Sequence, residues 1–287
     1  MKLKNCLEDE EMKAEKADRL KSVCKNMRKD CLIMAKAAGN QGFHFGATLS
    51  VIEITAVLYL EVMNIGRELF KEEQRDRFIL SKGHGVPAVY AALKQMGVIS
   101  EYDLHTFKGN DTVLYGHPSM NESLGIEFSS GSLGQGLSYA VGTALALKRK
   151  GNETSRVFTL LGDGECNEGA VWEAALSAAK YGLNNITAVI DCNHLQYDGT
   201  TGEVMPMDSM AEKWSSFGWE VISIDGHDII QCHEALIKRT SKPTVIIADT
   251  VKGKGISFME NVPSWHHGIM TKEQEEQAMR EVMQDED

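Results

Sequence analysis

Hydrophobic and polar positions along the chain sort into short, almost wholly apolar runs separated by longer amphipathic stretches. From Glu8 to Ala38 the spacing is helical and rich in Lys, Glu, Ala and Met, and it stops at Gly39-Asn40, a natural helix terminus. A second helix is expected from Leu49 to Met63. Beyond it, a strand at Arg77-Phe78-Ile79-Leu80 precedes a helix from Pro87 to Met96, and a helix from Gly134 to Lys150 leads to a strand from Val157 to Leu161. A helix from Ala170 to Tyr181 is followed by a strand from Ile186 to Asp191. Val221 to Asp225 precedes a helix from Ile229 to Arg239, and Thr244 to Asp249 closes the series. Strands as apolar as Val157-Phe158-Thr159-Leu160-Leu161 are buried on both faces, which marks a parallel sheet between helical layers. The expected fold is α/β, a doubly wound, mostly parallel sheet with helices on both faces, in a single domain over residues 1–287. The charged ends, the first handful of residues and Gln284 to Asp287, are the only candidates for disorder.

Composition narrows the partners. The 43% hydrophobic content of 287 residues is ample for one packed core, and 30 basic against 41 acidic residues leave a net charge of −11. That balance argues against broad attraction to nucleic acid or to an anionic membrane, so phosphorylated ligands must be held by local cations or a metal. Met1 to Leu20 is charged throughout and no stretch has the length of a membrane span, so a cytoplasmic location is expected. The six cysteines form no Cys-x-x-Cys pair; Cys24 and Cys31 can share a helix face as reduced, packed thiols.

In doubly wound sheets ligands sit beyond the carboxyl ends of the strands. After the Val157 run comes Leu161-Gly162-Asp163-Gly164-Glu165-Cys166-Asn167-Glu168-Gly169. Its glycines allow tight turning, Asp163 offers a hard oxygen ligand, and the following helix presents free N–H groups to an anion. It is no dinucleotide fingerprint, because the third glycine position is Asn167, and Gly164 and Cys166 break the ligand spacing of a Ca²⁺ loop. The next strand ends in Ile190-Asp191-Cys192-Asn193-His194-Leu195, one β-α-β unit later, so Asp163 and Asn193 emerge side by side. With a backbone carbonyl they can hold Mg²⁺-diphosphate.

The Gly-Asp-Gly turn followed one β-α-β unit later by Asn resembles the thiamine diphosphate enzymes. That resemblance implies Asp163, Asn193 and the carbonyl of Leu195 as ligands of Mg²⁺, or of Ca²⁺ or Mn²⁺ in its place. Further segments follow the order found in transketolases: Ser81-Lys82-Gly83-His84-Gly85, Gly116-His117-Pro118, Ser130-Gly131-Ser132-Leu133-Gly134-Gln135-Gly136 and Trp265-His266-His267-Gly268. The resemblance covers about Ala37 to Gly268. It implies that His44, His84, His117 and His267 line the channel to the cofactor, binding substrate hydroxyls and moving protons. It also implies cofactor contacts at His84, Gly131, Ser132, Leu133, Gly162, Asp163, Gly164, Glu168, Asn193 and His267, with Glu168 joining a carboxylate network across a subunit interface. His266 and His267 are adjacent and not expected to face one site together, and His267 fits the family pattern because Gly follows it. His105, His194, His227 and His233 are read as structural.

Two departures stand out. Gly42-Phe43-His44-Phe45-Gly46 replaces the usual Ser-Gly-His-Pro-Gly, and Phe43 and Phe45 are expected to bring bulk close to the substrate histidine. Ser132 stands for a commoner proline and Lys82 for an asparagine. The second departure is length. The pyrimidine-binding and carboxyl-terminal domains of a complete transketolase are absent and expected on a partner chain, in an α₂β₂ assembly inactive without it. The implied function is transfer of a two-carbon ketol unit between sugar phosphates with thiamine diphosphate. The alternatives are another enzyme of that cofactor, of the deoxyxylulose phosphate synthase or 2-oxoacid decarboxylating kind, or a non-catalytic paralogue.

Overall fold

A computed structural model of the chain describes residues 2–284, with side chains from residue 15 onward. The expected strands form as β1 (Arg77–Leu80), β2 (Val157–Gly162), β3 (Ile186–Cys192), β4 (Glu220–Asp225) and β5 (Thr244–Asp249). They pair in parallel throughout, in the order β1-β2-β3-β5-β4. In the β2–β3 register Val157 lies opposite Ile186 and Gly162 opposite Asp191, which brings Asp163 and Asn193 out at neighbouring strand ends.

Before the sheet come α1 (Lys2–Ala38), α2 (Phe45–Leu49) and α3 (Ile52–Val57), the last running into a π-helical turn at Leu58–Val62. Between β1 and β2 lie α4 (Val86–Gln95), α5 (Glu101–Leu104) and α6 (Gln135–Arg149). The remaining helices are α7 (Gly169–Lys180), α8 (Thr201–Val204), α9 (Met210–Ser216), α10 (Ile229–Ile237) and α11 (Lys272–Met283).

Alternate strand residues feed two separate cores. Val157, Leu161, Ile186, Ala188 and Ile190 pack with Leu137 and Ala140 of α6, Val171 and Ala175 of α7, and Trp214 of α9. Phe158, Leu160, Val189 and Ile246 face the opposite way, onto Met27 of α1, Ile54 of α3, Val89 of α4 and Leu236 of α10. A strand that must satisfy both layers can carry no polar face, which is why β2 and β3 read as continuous apolar runs. Cys24 and Cys31 lie buried on α1 as free thiols, and burial pushes both thiols up.

The helix expected from Leu49 to Met63 is instead interrupted at Ser50-Val51, where Val51 has φ −116° and ψ 14°. The break frees the Ser50 hydroxyl to donate to Asp191 Oδ2 at 2.7 Å, so a buried polar contact outweighs helical continuity. Helices α5, α8, α9 and α11 were not expected from the apolar pattern. Among the described residues no helix is long and apolar enough to cross a membrane. Of the ends expected to lack order, Met1 and residues 285–287 lie outside the described residues.

Phe158 is fully buried, with the Arg156 guanidinium 4.4 Å from its ring centre. Phe158→Ala is expected to cost roughly 3–5 kcal/mol in chemical denaturation. A loss of under about 1 kcal/mol would mean that this core layer collapses freely around the void.

Candidate functional site

Asp191, next to last in β3, is fully buried at the carboxyl edge of the sheet. Its Oδ2 accepts from Ser50 Oγ at 2.7 Å, from Asn193 Nδ2 at 2.8 Å and from Lys82 Nζ, while Oδ1 accepts from Thr250 Oγ1. Burial opposes the charge, but the Lys82 ammonium and these donors outweigh it and hold the carboxyl below its ordinary range.

The neighbouring acid, Asp163, is also buried. Its Oδ1 accepts from the Gly164 N–H and its Oδ2 from the His194 N–H, both at 2.7 Å. Burial, then the charge of Asp191, pushes its carboxyl up to about 6. Among the described residues Asp163 makes no direct ion pair. The Asn193 amide is oriented by its bond to Asp191, which leaves Oδ1 to accept weakly from the Leu195 N–H at 3.3 Å. A buried, undercompensated carboxylate beside an amide oxygen and the Leu195 carbonyl is a set of hard oxygen donors, and it fits Mg²⁺. Among the described residues no three His, Cys, Asp or Glu side chains converge on one metal position, so Asp163 is the charged member of this set.

Sequence reasoning did not single out Lys252. Its Nζ donates to the Leu195 carbonyl at 2.6 Å, and burial followed by the nearby Lys82 lowers its pKa to about 8. Gly46 makes room for its stem, since a Cβ there would lie 2.7 Å from Lys252 Cγ. The surrounding loop is clamped. Val251 N–H donates to His227 Nε2 at 2.8 Å, so Nδ1 carries the proton that His227 donates to Glu53 at 3.0 Å. Glu53 also accepts from Arg28 at 2.6 Å, and Arg28 Nε donates to the Lys254 carbonyl at 3.1 Å. His227 is thus structural, as expected. His194, with φ +61°, contributes its backbone to Asp163 and sets its ring nitrogen 2.7 Å from Asp249.

The four histidines converge. The His44 ring centre lies 5.5 Å from His84, 5.5 Å from His117 and 4.5 Å from His267. His266 joins them, against the expectation: its ring is 5.7 Å from His44 and stacks on His84 at 5.2 Å. The two neighbours can share a site because His266 ends a 3-10 turn at Pro263–His266 and His267 is extended, with φ −145° and ψ 128°, so their rings diverge. An antiparallel bridge between Phe43 and Gly268, with bonds of 2.9 and 3.0 Å, fastens this segment to the His44 turn. Gly42 permits it, because a Cβ there would sit 2.5 Å from His267 Cε1.

Phe43 and Phe45 do not crowd the pocket. Both are buried, Phe43 edge-on to Phe107 at 5.7 Å and Phe45 against Trp265 at 5.4 Å. Apolar rings on either side of His44 gain more from the core than from the site, and their burial pins the imidazole between them. All five imidazoles are driven toward the neutral form, first by burial and then by neighbouring positive charges. His44 falls to about 3 and His266 to about 4, His84 falls well below its ordinary value, and His117 and His267 are lowered.

The glycine-rich segment divides by role. Gly131 and Ser132 are exposed and Leu133 half-buried, and a Cβ on Gly131 would meet only His117, at 3.8 Å, leaving open room for a ligand. Gly134, at φ +82°, instead packs on Glu168, where a Cβ would come within 2.7 Å of the side chain, and a Cβ on Gly136 would collide with Ser81. In the diphosphate loop Gly162 is open, whereas Gly164 packs on Gln196. Glu165, another residue not anticipated, ties these pieces together by accepting from Ser81 Oγ, Gly134 N–H at 2.8 Å and Gly162 N–H at 3.0 Å. Glu168 is exposed at the start of α7.

A family model described as transketolase, thiamine diphosphate binding domain, matches residues 21–285. The chain is 41% identical over 261 residues to one of the subunits of the apulose-4-phosphate transketolase of Phocaeicola vulgatus, covering 90% of this chain and 91% of that protein. It is 40% identical over 242 residues to the 6-deoxy-6-sulfo-D-fructose transketolase subunit SqwG of a Clostridium species, covering 83% of this chain and 88% of that protein. The crystal structure of transketolase from Campylobacter jejuni superposes with a TM-score of 0.84 at 28% identity, over 92% of this chain and 42% of that one. The parallel sheet, the ordered motifs at its carboxyl edge and these matches lead to one conclusion: the chain belongs to the transketolase family, within its thiamine diphosphate binding domain.

Proposed function

We propose that this chain is the amino-terminal, diphosphate-binding subunit of a two-chain transketolase, a cytoplasmic enzyme that passes a two-carbon ketol unit from a ketose phosphate to an aldose or aldose phosphate. The observation that carries the reading is the convergence of neutral imidazoles on the same sheet edge that presents Asp163 and Asn193. Asp163, the Asn193 amide oxygen and the Leu195 carbonyl would hold Mg²⁺, and the open backbone at Gly162 and Gly131 leaves room for the cofactor. Thiamine diphosphate, when bound, supplies the carbanion chemistry of carbon–carbon cleavage.

The chain's own residues supply position and protons. A neutral imidazole offers one donor and one acceptor, which matches a sugar hydroxyl better than a cation does. His44, His84, His117 and His267 bind the hydroxyls of the sugar chain, and His117 and His267, the less buried of the four, are placed to take a proton at a ring nitrogen. Lys252 sets a positive charge beside the oxygen donors, where it offsets the charge of a phosphate. The relatives named as subunits are matched along nearly their whole length, which supports a separate partner chain carrying the pyrimidine-binding and carboxyl-terminal domains in an α₂β₂ assembly. Exposed Gly131, Ser132 and Glu168 are then covered by that partner.

Purification of the chain with its partner, followed by a coupled ketol-transfer assay, tests this reading. Transfer between sugar phosphates by the assembled enzyme and by neither chain alone is the expected result, and a fully active single chain would reject it. Asp163→Ala should weaken Mg²⁺-dependent cofactor binding by about 100-fold or more while the chain stays folded, because a loop ligand contributes little packing. Unchanged affinity in calorimetry would remove the metal assignment. For His117→Ala, cofactor binding is retained and the rate falls by roughly 10²–10³-fold.

The depressed imidazoles also make stability depend on pH. His44 at about 3 and His266 at about 4 stay unprotonated when folded but take up protons near 6.5 when unfolded. Between these values the unfolded state binds more protons, so stability is complete above about 6.5 and falls as the solution is acidified. Replacing His44 by Gln should flatten that acid limb by about one proton in denaturation followed against pH. An unaltered slope would place His44 in water.

A further inference from the structure

Lys108, in the loop after α5, is a cation without a counter-charge. Lys82 pairs with Asp191 and Lys94 with Asp30, whereas among the described residues no carboxylate forms an ion pair with Lys108. Its backbone is left-handed, with φ +58°, a strained conformation for a long side chain, and such strain collects at ligand clamps. Reciprocal bonds hold it. Gln41 Nε2 donates to the Lys108 carbonyl at 2.8 Å, and the Lys108 ammonium donates to the Gly42 carbonyl at 2.8 Å and weakly to that of Gln41 at 3.4 Å. The Lys108 N–H closes its own loop on the Leu114 carbonyl at 3.0 Å.

These bonds set the ammonium beside the turns that carry the imidazoles. Gly42 lies just before His44 and against His267, and Gly116 immediately precedes His117; a Cβ on Gly116 would lie 2.5 Å from Lys108 Cε and 3.4 Å from Nζ. After burial, the Lys108 charge is among those that lower His44, His117 and His267, so it is felt by all three rings, and burial lowers the ammonium itself. With its bonds to the two carbonyls made, the half-exposed ammonium keeps one donor that no described residue accepts. In a chain of net charge −11, a cation bordered by neutral imidazoles is a local positive potential that attracts an anion.

We propose that Lys108 is a specificity-determining residue whose free ammonium donor binds a phosphate oxygen of the sugar substrate. The proposal rests on the transketolase reading above and deepens it: this chain itself supplies a cation to the anionic end of the sugar, while the imidazoles meet its hydroxyls. A compact ammonium suits a tetrahedral oxyanion approached from one side, and the two carbonyl bonds fix its position before the substrate arrives.

Two variants of the chain, purified with its partner and loaded with thiamine diphosphate and Mg²⁺, test it. Lys108→Gln removes the charge but keeps an amide donor, and Lys108→Arg keeps the charge. KM is measured for ribose 5-phosphate and for ribose as acceptors, with the unphosphorylated ketose erythrulose as donor. The Gln variant should raise KM for ribose 5-phosphate roughly tenfold while KM for ribose, kcat and cofactor affinity stay nearly unchanged, and the Arg variant should remain close to wild type. Phosphorus-31 linewidths of ribose 5-phosphate report its binding without turnover and should show the same loss in the Gln variant. An equal rise for both acceptors would reduce Lys108 to a loop clamp, an unchanged KM for ribose 5-phosphate would leave its charge without a role, and release of the partner by Lys108→Gln would assign the ammonium to a carboxylate of that chain; each result overturns the inference. An assembled wild-type enzyme that transfers no ketol unit between sugar phosphates would instead overturn the functional reading, and the phosphorus-31 comparison would still decide the role of Lys108.

Discussion

A single buried carboxylate organises the working edge of this protein. Asp191 sits where the central strand β3 ends, and four side chains from four places in the sequence, Ser50, Lys82, Asn193 and Thr250, donate to it. An ionised acid at that depth is tolerable only when it is fully paired and hydrogen-bonded, and here each donor comes from a segment that also builds the site. Lys82 begins the turn that carries His84, Ser50 follows the helix after His44, Thr250 leads to Lys252, and Asn193 is one of the oxygen donors itself. The arrangement favours a unique geometry more than it favours raw stability.

Two further fastenings extend that control outward. The Arg28-Glu53-His227 chain grips the loop on both sides of Lys252, and the Phe43–Gly268 bridge with the Phe45–Trp265 pair grips the segment bearing His266 and His267. The polar groups that would meet ligand stand on backbone held by groups that would not, which is the condition for a preorganised site. What stays open is the outward side, where Gly131, Ser132 and Glu168 are exposed. A floor of buried charges with an uncovered rim suits a site completed by a second chain.

Most of the sheet was readable because a strand buried on both faces leaves no polar alternation; the edge strand β4 is partly exposed, yet it too fell on an apolar run. Helices α5, α8, α9 and α11 were not, although three of them announce themselves by capping boxes at Ser100, Thr200 and Thr271, a signal that apolar periodicity overlooks. Asp163, Asn193 and the four motif histidines were legible because glycines and spacing mark them. Lys252, Glu165 and His266 were not, because their roles arise from distant segments brought together: Leu195 for Lys252, Ser81 and Gly134 for Glu165, His84 and Tyr197 for His266. Phe43 and Phe45 misled for the same reason, since adjacency to His44 in sequence says nothing of which way a ring turns. The backbone break at Ser50 likewise answers to Asp191, far along the chain.

The most direct test of the account is the position of a bound cation. A crystal of the chain assembled with its partner, grown with Mn²⁺ and thiamine diphosphate, would reveal the metal by its anomalous scattering. The account predicts one strong peak bonded to Asp163, Asn193 and the Leu195 carbonyl, with the Lys252 ammonium displaced from that carbonyl toward the diphosphate. A peak elsewhere, or cofactor bound with Asp163 left unligated, would contradict it.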